Sequence, residues 1–434
     1  MNGERTRVPH EEDEMVHLLK GWAESQATLS AETPFFLEVS FVTAAGQHAA
    51  LRPELVDALV AAAQRVAADP ATCSLAWHVF HRLFRASSLD ASSFKRWPVS
   101  IGSLSDDTGL LYVLALLGGL PDLRALYRAH SLPDWVARDT LHDVQRWADY
   151  YRRHHGVWGI EPATLSWLRL HFRGELYGLG RLQFMPARWS VAVRVFRHLT
   201  SGVVVALSES GVRYRSDGQR DGAGGVHDPA GAWTATLERT EEWVTGHAIT
   251  PSGCTQRATW RLAREEWSEI LAPGAPVLDI HIPRGVPLDL EACRRSLQEA
   301  LRFFPSHFPE LPFVAFTCDS WLLDAQLEKL LPPSSNLVRF LRQLYLVPVA
   351  SDGTEALEWV FDGVPADLAS APRDTALRRA VLDHISAGRH LRAGAGFLLL
   401  DDVEAWGQDI YRVKDEGWAL GERRGPLSSR RSGW

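Results

Sequence analysis

Apolar residues recur at every third or fourth position through most of the first 160 residues, which predicts amphipathic helices. The segment PDWVARDTLHDVQRWADYYRRHH shows this most clearly, because one apolar stripe contains Val136, Leu141, Val144, Ala148 and Tyr151. Gly156 follows its cationic last turn and predicts the end of the helix. The apolar segment PFFLEVSFV lacks this period and is expected to be extended. We therefore predict a largely α-helical N-terminal domain over residues 1–162.

After Pro162 apolar and polar positions alternate, which is typical of strands with one buried face. This pattern predicts strands in GELYGLGRLQF, VVVALSESGVRYRSDG, AWTATLERTEEW, GHAIT and RATWRL, and LYLVPVA, LEWVFDG and AGAGFLLLDD are further candidates. Helices are predicted in SSNLVRFLRQL and PRDTALRRAVLDHISAG. The glycine-rich SDGQRDGAGGVHDPAG does not have dinucleotide-motif spacing, so we predict a mobile loop.

These patterns predict the α+β class, with the helical domain followed by a mixed-sheet α/β domain over residues 163–410. Residues 411–434 end in GERRGPLSSRRSGW, which carries four arginines and no apolar periodicity. This tail is predicted to be disordered, and a partner-binding arm is the alternative.

The stretch Ala275–Leu331 organises the second domain. A strand-like run, APVLDIHI, precedes the loop PRGVPLD, the amphipathic helix LEACRRSLQEALRFF and a second apolar run, LPFVAFTCDSWLL. Strand, loop, helix and strand in this order predict a βαβ crossover, a unit that carries ligand phosphates in α/β folds. Cys293 lies on the apolar face of the helix and is expected to be a buried small hydrophobe.

Composition and charge exclude several classes of protein. A net charge of −7 argues against a nucleic-acid binder, which needs a clustered positive face. Four widely spaced cysteines predict neither a zinc site nor a disulfide framework, so no metal is expected. The first residues lack the apolar core of a signal peptide, and no run approaches the ~18 apolar residues of a membrane span. We expect a cytoplasmic protein that binds neither nucleic acid nor membrane.

The loop after the first strand of the crossover has two interpretations. The backbone N–H groups of Arg284, Gly285, Val286 and Leu288 are available to an anion, which would also receive the positive end of the helix dipole. Asp289 is placed to cap the same helix, and its carboxylate would repel a phosphate. The residues alone leave a phosphate loop and a structural turn as equal alternatives.

Four segments carry a resemblance to a known family: FRGELYGLGRLQF, VLDIHIPRGVPLDLEAC, FTCDSWLLD and LPPSSNLVRFL. Together with the order of elements, they resemble bacterial acyltransferase-domain proteins that join a helical N-terminal acyltransferase domain to a GNAT-like C-terminal domain. The resemblance implies an N-acyltransferase of the GNAT superfamily, which uses acetyl-CoA or a longer acyl-CoA as donor. Superfamily members usually show Gln/Arg-x-x-Gly-x-Gly/Ala at the phosphate loop, whereas RGVPLD has one glycine and a proline.

The resemblance also implies where acyl-CoA would bind. The pantetheine arm would lie in a V-shaped split between the strand that ends at Ile282 and the strand 312–318. The pyrophosphate would lie on the loop formed by Arg284, Gly285, Val286 and Leu288. Asn336 would either cap the next helix or contact the CoA arm, and Arg339 would face either a phosphate or solvent.

Amine acylation needs a base for the attacking amine and donors for the tetrahedral oxyanion. The resemblance implies His281 as the base, with Asp279 on the same strand face to orient or replace it, and a structural histidine is the alternative. Cys318, Asp319 and Ser320 end the second strand, where active-site groups cluster. Cys318 is either a buried thiol or the nucleophile of an acyl-enzyme.

The acceptor is expected to be a small-molecule or peptide amine, and the sequence leaves its identity and the oligomeric state open. Arg181 and Gln183 share one face of a predicted strand, where they either line the acceptor pocket or are solvated or ion-paired. We weigh three hypotheses: direct acyl transfer in a ternary complex, a catalytically inactive GNAT-like scaffold that binds CoA or a peptide partner, and a Cys318-dependent acyl-enzyme.

Overall fold

The computed structural model describes residues 11–87, 90–102 and 104–413. Its helices in these ranges are α1 (Glu11–Leu18), α2 (Trp22–Gln26), α3 (Val39–His48), α4 (Pro53–Ala68), α5 (Pro70–Phe84), α6 (Thr108–Leu117), α7 (Leu120–Ala129), α8 (Asp134–His155), α9 (Leu165–Phe172), α10 (Leu290–His307), α11 (Leu327–Leu330), α12 (Asn336–Leu341), α13 (Thr354–Phe361), α14 (Ala376–Ser386) and α15 (Ile410–Val413). Its strands are β1 (Tyr177–Leu179), β2 (Leu182–Arg188), β3 (Val193–His198), β4 (Val204–Ser208), β5 (Arg213–Tyr214), β6 (Trp233–Thr234), β7 (Leu237–Arg239), β8 (Trp243–Ile249), β9 (Thr255–Ala263), β10 (Trp267–Leu271), β11 (Pro276–His281), β12 (Ala315–Ser320), β13 (Tyr345–Pro348) and β14 (Gly394–Leu399).

The chain forms two compact units. Unit 1 comprises Met1–Phe184 and Ile282–Val286, and unit 2 comprises Met185–His281 and Pro287–Trp434. The α+β class is confirmed, because helices fill the first part of the chain and a mixture of sheets and helices follows. Helix α9 lies beyond the predicted domain boundary at residue 162. The predicted tail begins inside α15, and residues 414–434 lie outside the described residues.

Unit 1 is built around α6. Every residue of this helix is buried, and it packs against α4, α5 and α9. The segment Thr108–Ala129 is long and apolar enough to cross a membrane, but 72% of its most apolar window is buried inside the protein, which is typical of a core helix. Helix α8 is amphipathic as predicted, and Gly156 ends it in the left-handed region (φ 77°) that favours glycine.

The prediction that PFFLEVSFV is extended was wrong. A 3-10 turn covers Phe35–Leu37 and leads into α3, whose residue Val42 is buried with Phe36 and Leu37. The turn packs against α3, α4 and α6, so tertiary burial outweighs the local preference of aromatic and β-branched residues for strands.

Unit 2 contains two larger sheets. In the first, the strand order within this unit is β2–β11–β12–β14–β13, and β12, β14 and β13 are antiparallel neighbours. In the second, the order is β10–β3–β4–β8–β7, with β9 paired to β8, and every pair is antiparallel. β5 and β6 form a separate two-stranded sheet.

The predicted βαβ crossover is confirmed. Strand β11 runs parallel to β12, and α10 connects them. The carboxylate of Asp289 accepts a hydrogen bond from the Ala292 N–H at 2.8 Å and caps α10 as predicted. Cys293 is fully buried on the apolar face of α10, as expected.

Two further predictions about unit 2 need correction. LEWVFDG is not a strand, because α13 covers most of it and buries Ala356 and Val360, four positions apart, in a cluster with α14. The glycine-rich loop predicted to be mobile is tied by internal hydrogen bonds. Asp228, for example, accepts from the Ser216 N–H at 3.0 Å and from the Gly231 N–H at 2.7 Å.

Candidate active site

Strands β11 and β12 part at their carboxyl ends. Their pairing joins Leu278 to Phe316 and Asp279 to Thr317, and it goes no further. β12 nevertheless stays paired with β14 as far as Ser320, which lies opposite Gly394. Where two strands separate in this way, a ligand with amide groups of its own can pair with a strand edge.

Asp279 and His281 lie at the end of β11. They share one strand face, as predicted, and Asp279 Oδ2 is 3.3 Å from His281 Nε2. The Thr317 hydroxyl on β12 donates to Asp279 Oδ1 at 2.9 Å. Both side chains are partly accessible, with exposed fractions of 22% for Asp279 and 27% for His281.

The environment of Asp279 favours its protonated form. Burial raises the pKa of this carboxyl to about 7, the hydrogen bond from Thr317 acts in the opposite direction, and Asp319 adds to the rise. A carboxyl with a pKa near neutrality can exchange a proton with an amine at the pH of the cell. Asp279 is therefore equipped to be a base or to hold His281 as the base.

Further carboxylates lie at the end of β12 and on α13. Asp319 is exposed at the surface, yet the protein atoms around it reduce its hydration and raise its pKa. The pKa of Glu355 is also raised, first by reduced hydration and then by the negative charge of Asp319. Together with Asp279 they form an acidic group suited to a cationic amine.

Cys318 lies among these carboxylates but is poorly suited to be a nucleophile. Only 2% of the residue is exposed. Burial raises the pKa of its thiol well above the usual range, and the charges of Asp279, Asp319 and Glu355 act in the same direction. The thiolate is the reactive form, so this environment favours the buried-thiol interpretation of Cys318.

The remaining predicted residues of unit 2 have more ordinary surroundings. Ser320 Oγ accepts a hydrogen bond from the Leu322 N–H at 3.2 Å and caps a short 3-10 turn. Leu288 is buried. Asn336 begins α12 but is not its cap residue, which is Ser335, and Arg339 is exposed one turn later.

The first part of the predicted phosphate loop, Ile282–Val286, belongs to unit 1. Gly285 has a φ of 85°, and among the described residues its N–H and that of Val286 donate no hydrogen bond. The guanidinium of Arg284 lies 4.8 Å from the ring centroid of Tyr150. A conformation that favours glycine and two available N–H groups are compatible with an anion at this loop.

Arg181 and Gln183 do not share a strand face. Arg181 lies in the turn between β1 and β2, and its guanidinium donates to the Val286 carbonyl oxygen at 2.8 Å. Gln183 is 2% exposed, and its amide nitrogen is 3.3 Å from His171 Nε2. The predicted strand face was wrong because the turn residues Gly180 and Arg181 end β1 before β2 begins.

Two residues of this site were missed in the sequence. Thr317 contacts Asp279 only because of the parallel register, which the sequence does not specify. Glu355 lies far along the chain, two residues before a segment predicted as a strand. Among the described residues, no group of three His, Cys, Asp or Glu side chains could hold a metal ion.

Comparison with known proteins assigns the chain to an acyltransferase family. The chain belongs to the family with a GNAT-like C-terminal domain, whose model matches residues 176–398, more than half of the chain. The model of an N-acyltransferase N-terminal domain matches residues 43–174. No curated protein matches the chain.

Several solved structures share this fold. An acyltransferase in complex with decanoyl-CoA and teicoplanin is 23% identical, with a TM-score of 0.61 over 90% of this chain and 100% of that chain. An acyltransferase in complex with CoA and 10C-teicoplanin is 22% identical, with a TM-score of 0.59 and the same coverage. An acyltransferase mutant in complex with octanoyl-CoA is 24% identical, with a TM-score of 0.56 over 82% of this chain and 86% of that chain.

Proposed function

We propose that the protein is an acyl-CoA-dependent N-acyltransferase that transfers an acyl group directly to an amine in a ternary complex. The parting of β11 and β12 carries this proposal. Backbone groups in the opening can pair with the amides of a pantetheine arm, and acidic groups at its mouth can receive an amine. The assignment of the pyrophosphate to Arg284, Gly285, Val286 and Leu288 stays a prediction.

In this mechanism the ammonium group of the acceptor binds next to the carboxylates of Asp279, Asp319 and Glu355. His281, held by Asp279, removes a proton, and the neutral amine attacks the thioester carbonyl carbon. The tetrahedral intermediate collapses, the carbon–sulfur bond breaks, and the second proton of the attacking nitrogen passes to the departing CoA thiolate, which leaves an amide and a CoA thiol. The pKa of about 7 at Asp279 supports proton transfer at neutral pH.

The donor is an acyl-CoA whose chain length the experiment must determine. Octanoyl-CoA and decanoyl-CoA are bound by the structural neighbours, so we propose them as first donors beside acetyl-CoA. One neighbour structure holds teicoplanin together with decanoyl-CoA, so teicoplanin is the first acceptor to be tested, beside small-molecule and peptide amines. Four free cysteines agree with the proposed cytoplasmic location.

The test has two steps. First, melting temperature is measured with acetyl-, octanoyl- and decanoyl-CoA, and at least one is expected to raise it because ligands that bind only the folded state stabilise it. Second, thiol release is followed with amine acceptors, and His281→Gln serves as the control for catalysis. Unchanged melting with every acyl-CoA would contradict the proposal.

The alternative is a catalytically inactive scaffold that binds CoA or a peptide partner. Tyr345, the first tyrosine after β12, is fully buried on β13 and donates to the Ile249 carbonyl oxygen. It is therefore unable to protonate a leaving thiolate. Stabilisation by CoA without thiol release from any acceptor would support the scaffold.

A further inference from the structure

Unit 2 contains a cavity of about 550 Å³ outside the parted strands. Its walls come from the glycine-rich loop and from the segment that leads into β14. The charged side chains that line it belong to Arg215, Asp217, Asp228, Arg389 and Arg392. His227, His390 and Gln326 also line it, so the cavity is polar and rich in hydrogen-bond donors.

Arg215 forms a fixed wall of this cavity. Its side chain is only 6% exposed. Its guanidinium forms a bidentate ion pair with Asp217, with distances of 3.2 Å from Nε to Oδ1 and 2.7 Å from Nη2 to Oδ2. It also donates a hydrogen bond to the Ala223 carbonyl oxygen at 3.2 Å. The negative charge of Asp217 is therefore matched by Arg215, and Arg392 Nη2 lies 3.5 Å from the same carboxylate.

The second carboxylate in the wall is held by its own loop. Asp228 accepts hydrogen bonds from the N–H and the hydroxyl of Ser216, at 3.0 and 2.7 Å, and from the Gly231 N–H at 2.7 Å. Both of its oxygens are thus engaged by donors of the glycine-rich loop, and its pKa is lowered to about 2 by these bonds. Three arginines face two carboxylates that already have donors.

Arg389 contributes a positive charge that no carboxylate lining the cavity pairs with. It is exposed at the cavity, and no ion pair of its guanidinium occurs among the described residues. His390 flanks the same space, as does His227, whose Nδ1 already lies 3.4 Å from Asp221 Oδ2. An oxyanion in the cavity could therefore accept hydrogen bonds from the guanidinium of Arg389.

The cavity lies beside the acidic group of the candidate active site. The Arg392 N–H donates to Asp324 Oδ2 at 3.0 Å, just beyond β12. Two residues later, Gly394 pairs with Ser320, and Ala395 pairs with Asp319. Three residues of extended chain span roughly 10 Å, so the Cα atom of Arg392 lies near the strand position opposite Asp319.

We propose that this cavity binds an oxyanion of the acceptor, a carboxylate or a phosphate, while the acceptor amine lies at Asp279, Asp319 and Glu355. The substrate class is then an amine that also carries a negative group, which reaches the cavity while the nitrogen lies at the three carboxylates. Opposite charges at the two ends would fix the direction of the acceptor, and amines without the anion would bind more weakly. This inference rests on the proposed acyltransferase function.

The first experiment measures anion binding to the full chain without acyl-CoA. Inorganic phosphate and succinate are titrated by calorimetry, which separates the phosphate from the carboxylate source. Arg389→Gln should weaken the preferred anion by roughly tenfold, because a charge-assisted hydrogen bond is lost. Arg389→Lys should retain most of the affinity, and Arg295→Gln, an exposed arginine of α10 outside the cavity, should leave it unchanged.

Arg389 is chosen because its exposed side chain makes no ion pair that the fold needs, and a melting curve of each variant verifies folding. A double variant that combines Arg389→Gln with Arg392→Gln extends the test to the partly buried guanidinium of Arg392. Absence of saturable anion binding by the wild-type chain, or equal affinity in Arg389→Gln, would overturn the inference.

The second experiment uses matched acceptors with the preferred acyl-CoA. A lysine dipeptide is compared with its C-terminal amide, and glucosamine 6-phosphate with glucosamine. The charged member of one pair should have the lower KM, and Arg389→Gln should remove this difference. Equal KM values within both pairs would overturn the inference and leave the proposed function standing. Anion binding that Arg389→Gln weakens, without thiol release from any acceptor, would overturn the proposed function and with it the acceptor role.

Discussion

Two Asp–His pairs with the same separation occur in the two units, and their surroundings give them different properties. In unit 2, Asp279 Oδ2 lies 3.3 Å from His281 Nε2, and both side chains reach solvent. In unit 1, Asp143 Oδ2 lies 3.3 Å from His171 Nε2, and both are buried. Distance alone therefore does not distinguish a reactive pair from a structural one.

The number of donors accounts for the difference. Burial alone would raise the pKa of Asp143, but the hydrogen bond and charge of His171, the Trp167 N–H and Arg146 outweigh it and lower the pKa to about 2. Asp279 has burial, one hydroxyl donor and a neighbouring carboxylate, and its pKa rises to about 7. The carboxylate of unit 1 is thus permanently charged, whereas that of unit 2 titrates near neutrality.

The largest effect is expected in the buried pair. Asp143→Ala leaves His171 and the Trp167 N–H without their acceptor and should lower the free energy of unfolding by about 3–5 kcal/mol. Urea unfolding followed by circular dichroism measures this change. Asp57→Ala, at an exposed position of α4, is the matched control and should stay within about 0.5 kcal/mol. An equally small effect at Asp143 would remove the contrast between the pairs.

The accessible pair should respond in activity and not in stability. His281→Gln is expected to reduce kcat by about 100-fold or more, because the general base is lost. Acyl-CoA binding and the melting temperature should stay near the wild-type values, whereas His171→Gln should lower the melting temperature. Full activity of His281→Gln would identify His281 as a structural histidine.

The two carboxylates should also differ in their dependence on pH. The folded-state pKa of Asp279 is raised, so its protonated form contributes stability that is fully present below about pH 4 and is lost as pH rises through about 7. Asp279→Asn should therefore be more stable than the wild type at pH 8, by about 4 kcal/mol, and about equal to it at pH 4. Chemical unfolding at both pH values provides the measurement.

The same titration should govern the rate. Wild-type kcat/KM should rise as pH increases through about 7, where Asp279 loses its proton, and the profile of Asp279→Asn should lack this rise. An unchanged profile in the variant would assign the titration to another group.

The smallest effect is expected at Cys318. Cys318→Ala should change kcat by less than about threefold, because a thiol with a raised pKa makes a poor nucleophile. Its stability should fall by about 1 kcal/mol, owing to the loss of one buried atom. Intact mass after incubation with acyl-CoA should show no covalent adduct. An adduct that disappears in the variant would instead support the acyl-enzyme hypothesis.

The periodicity of the sequence was sufficient to predict the elements that bury one regular face. Helix α8 with its Gly156 terminus and the crossover from β11 through α10 to β12 were predicted for this reason. Segments dominated by aromatic and β-branched residues were not predictable, because packing decided between helix and strand at Phe35–Leu37 and in α13.

The candidate site was predictable only within one strand. A spacing of two residues brought Asp279 and His281 together, since strand geometry fixes that relation. The contact with Thr317 depends on register between two strands separated by a whole helix, and the influence of Glu355 depends on tertiary packing. The opposite pKa values of Asp143 and Asp279 arise from the number of donors around each, which no local pattern encodes.

Unit 1 is discontinuous in the chain, since Ile282–Val286 joins the residues up to Phe184. All strands from β3 to β11 are therefore synthesised between its two parts. During translation the N-terminal helices leave the ribosome long before the segment that completes their unit. Unit 1 is complete only after the first half of unit 2 has been synthesised. We therefore expect the last steps of folding of unit 1 to follow synthesis of β11.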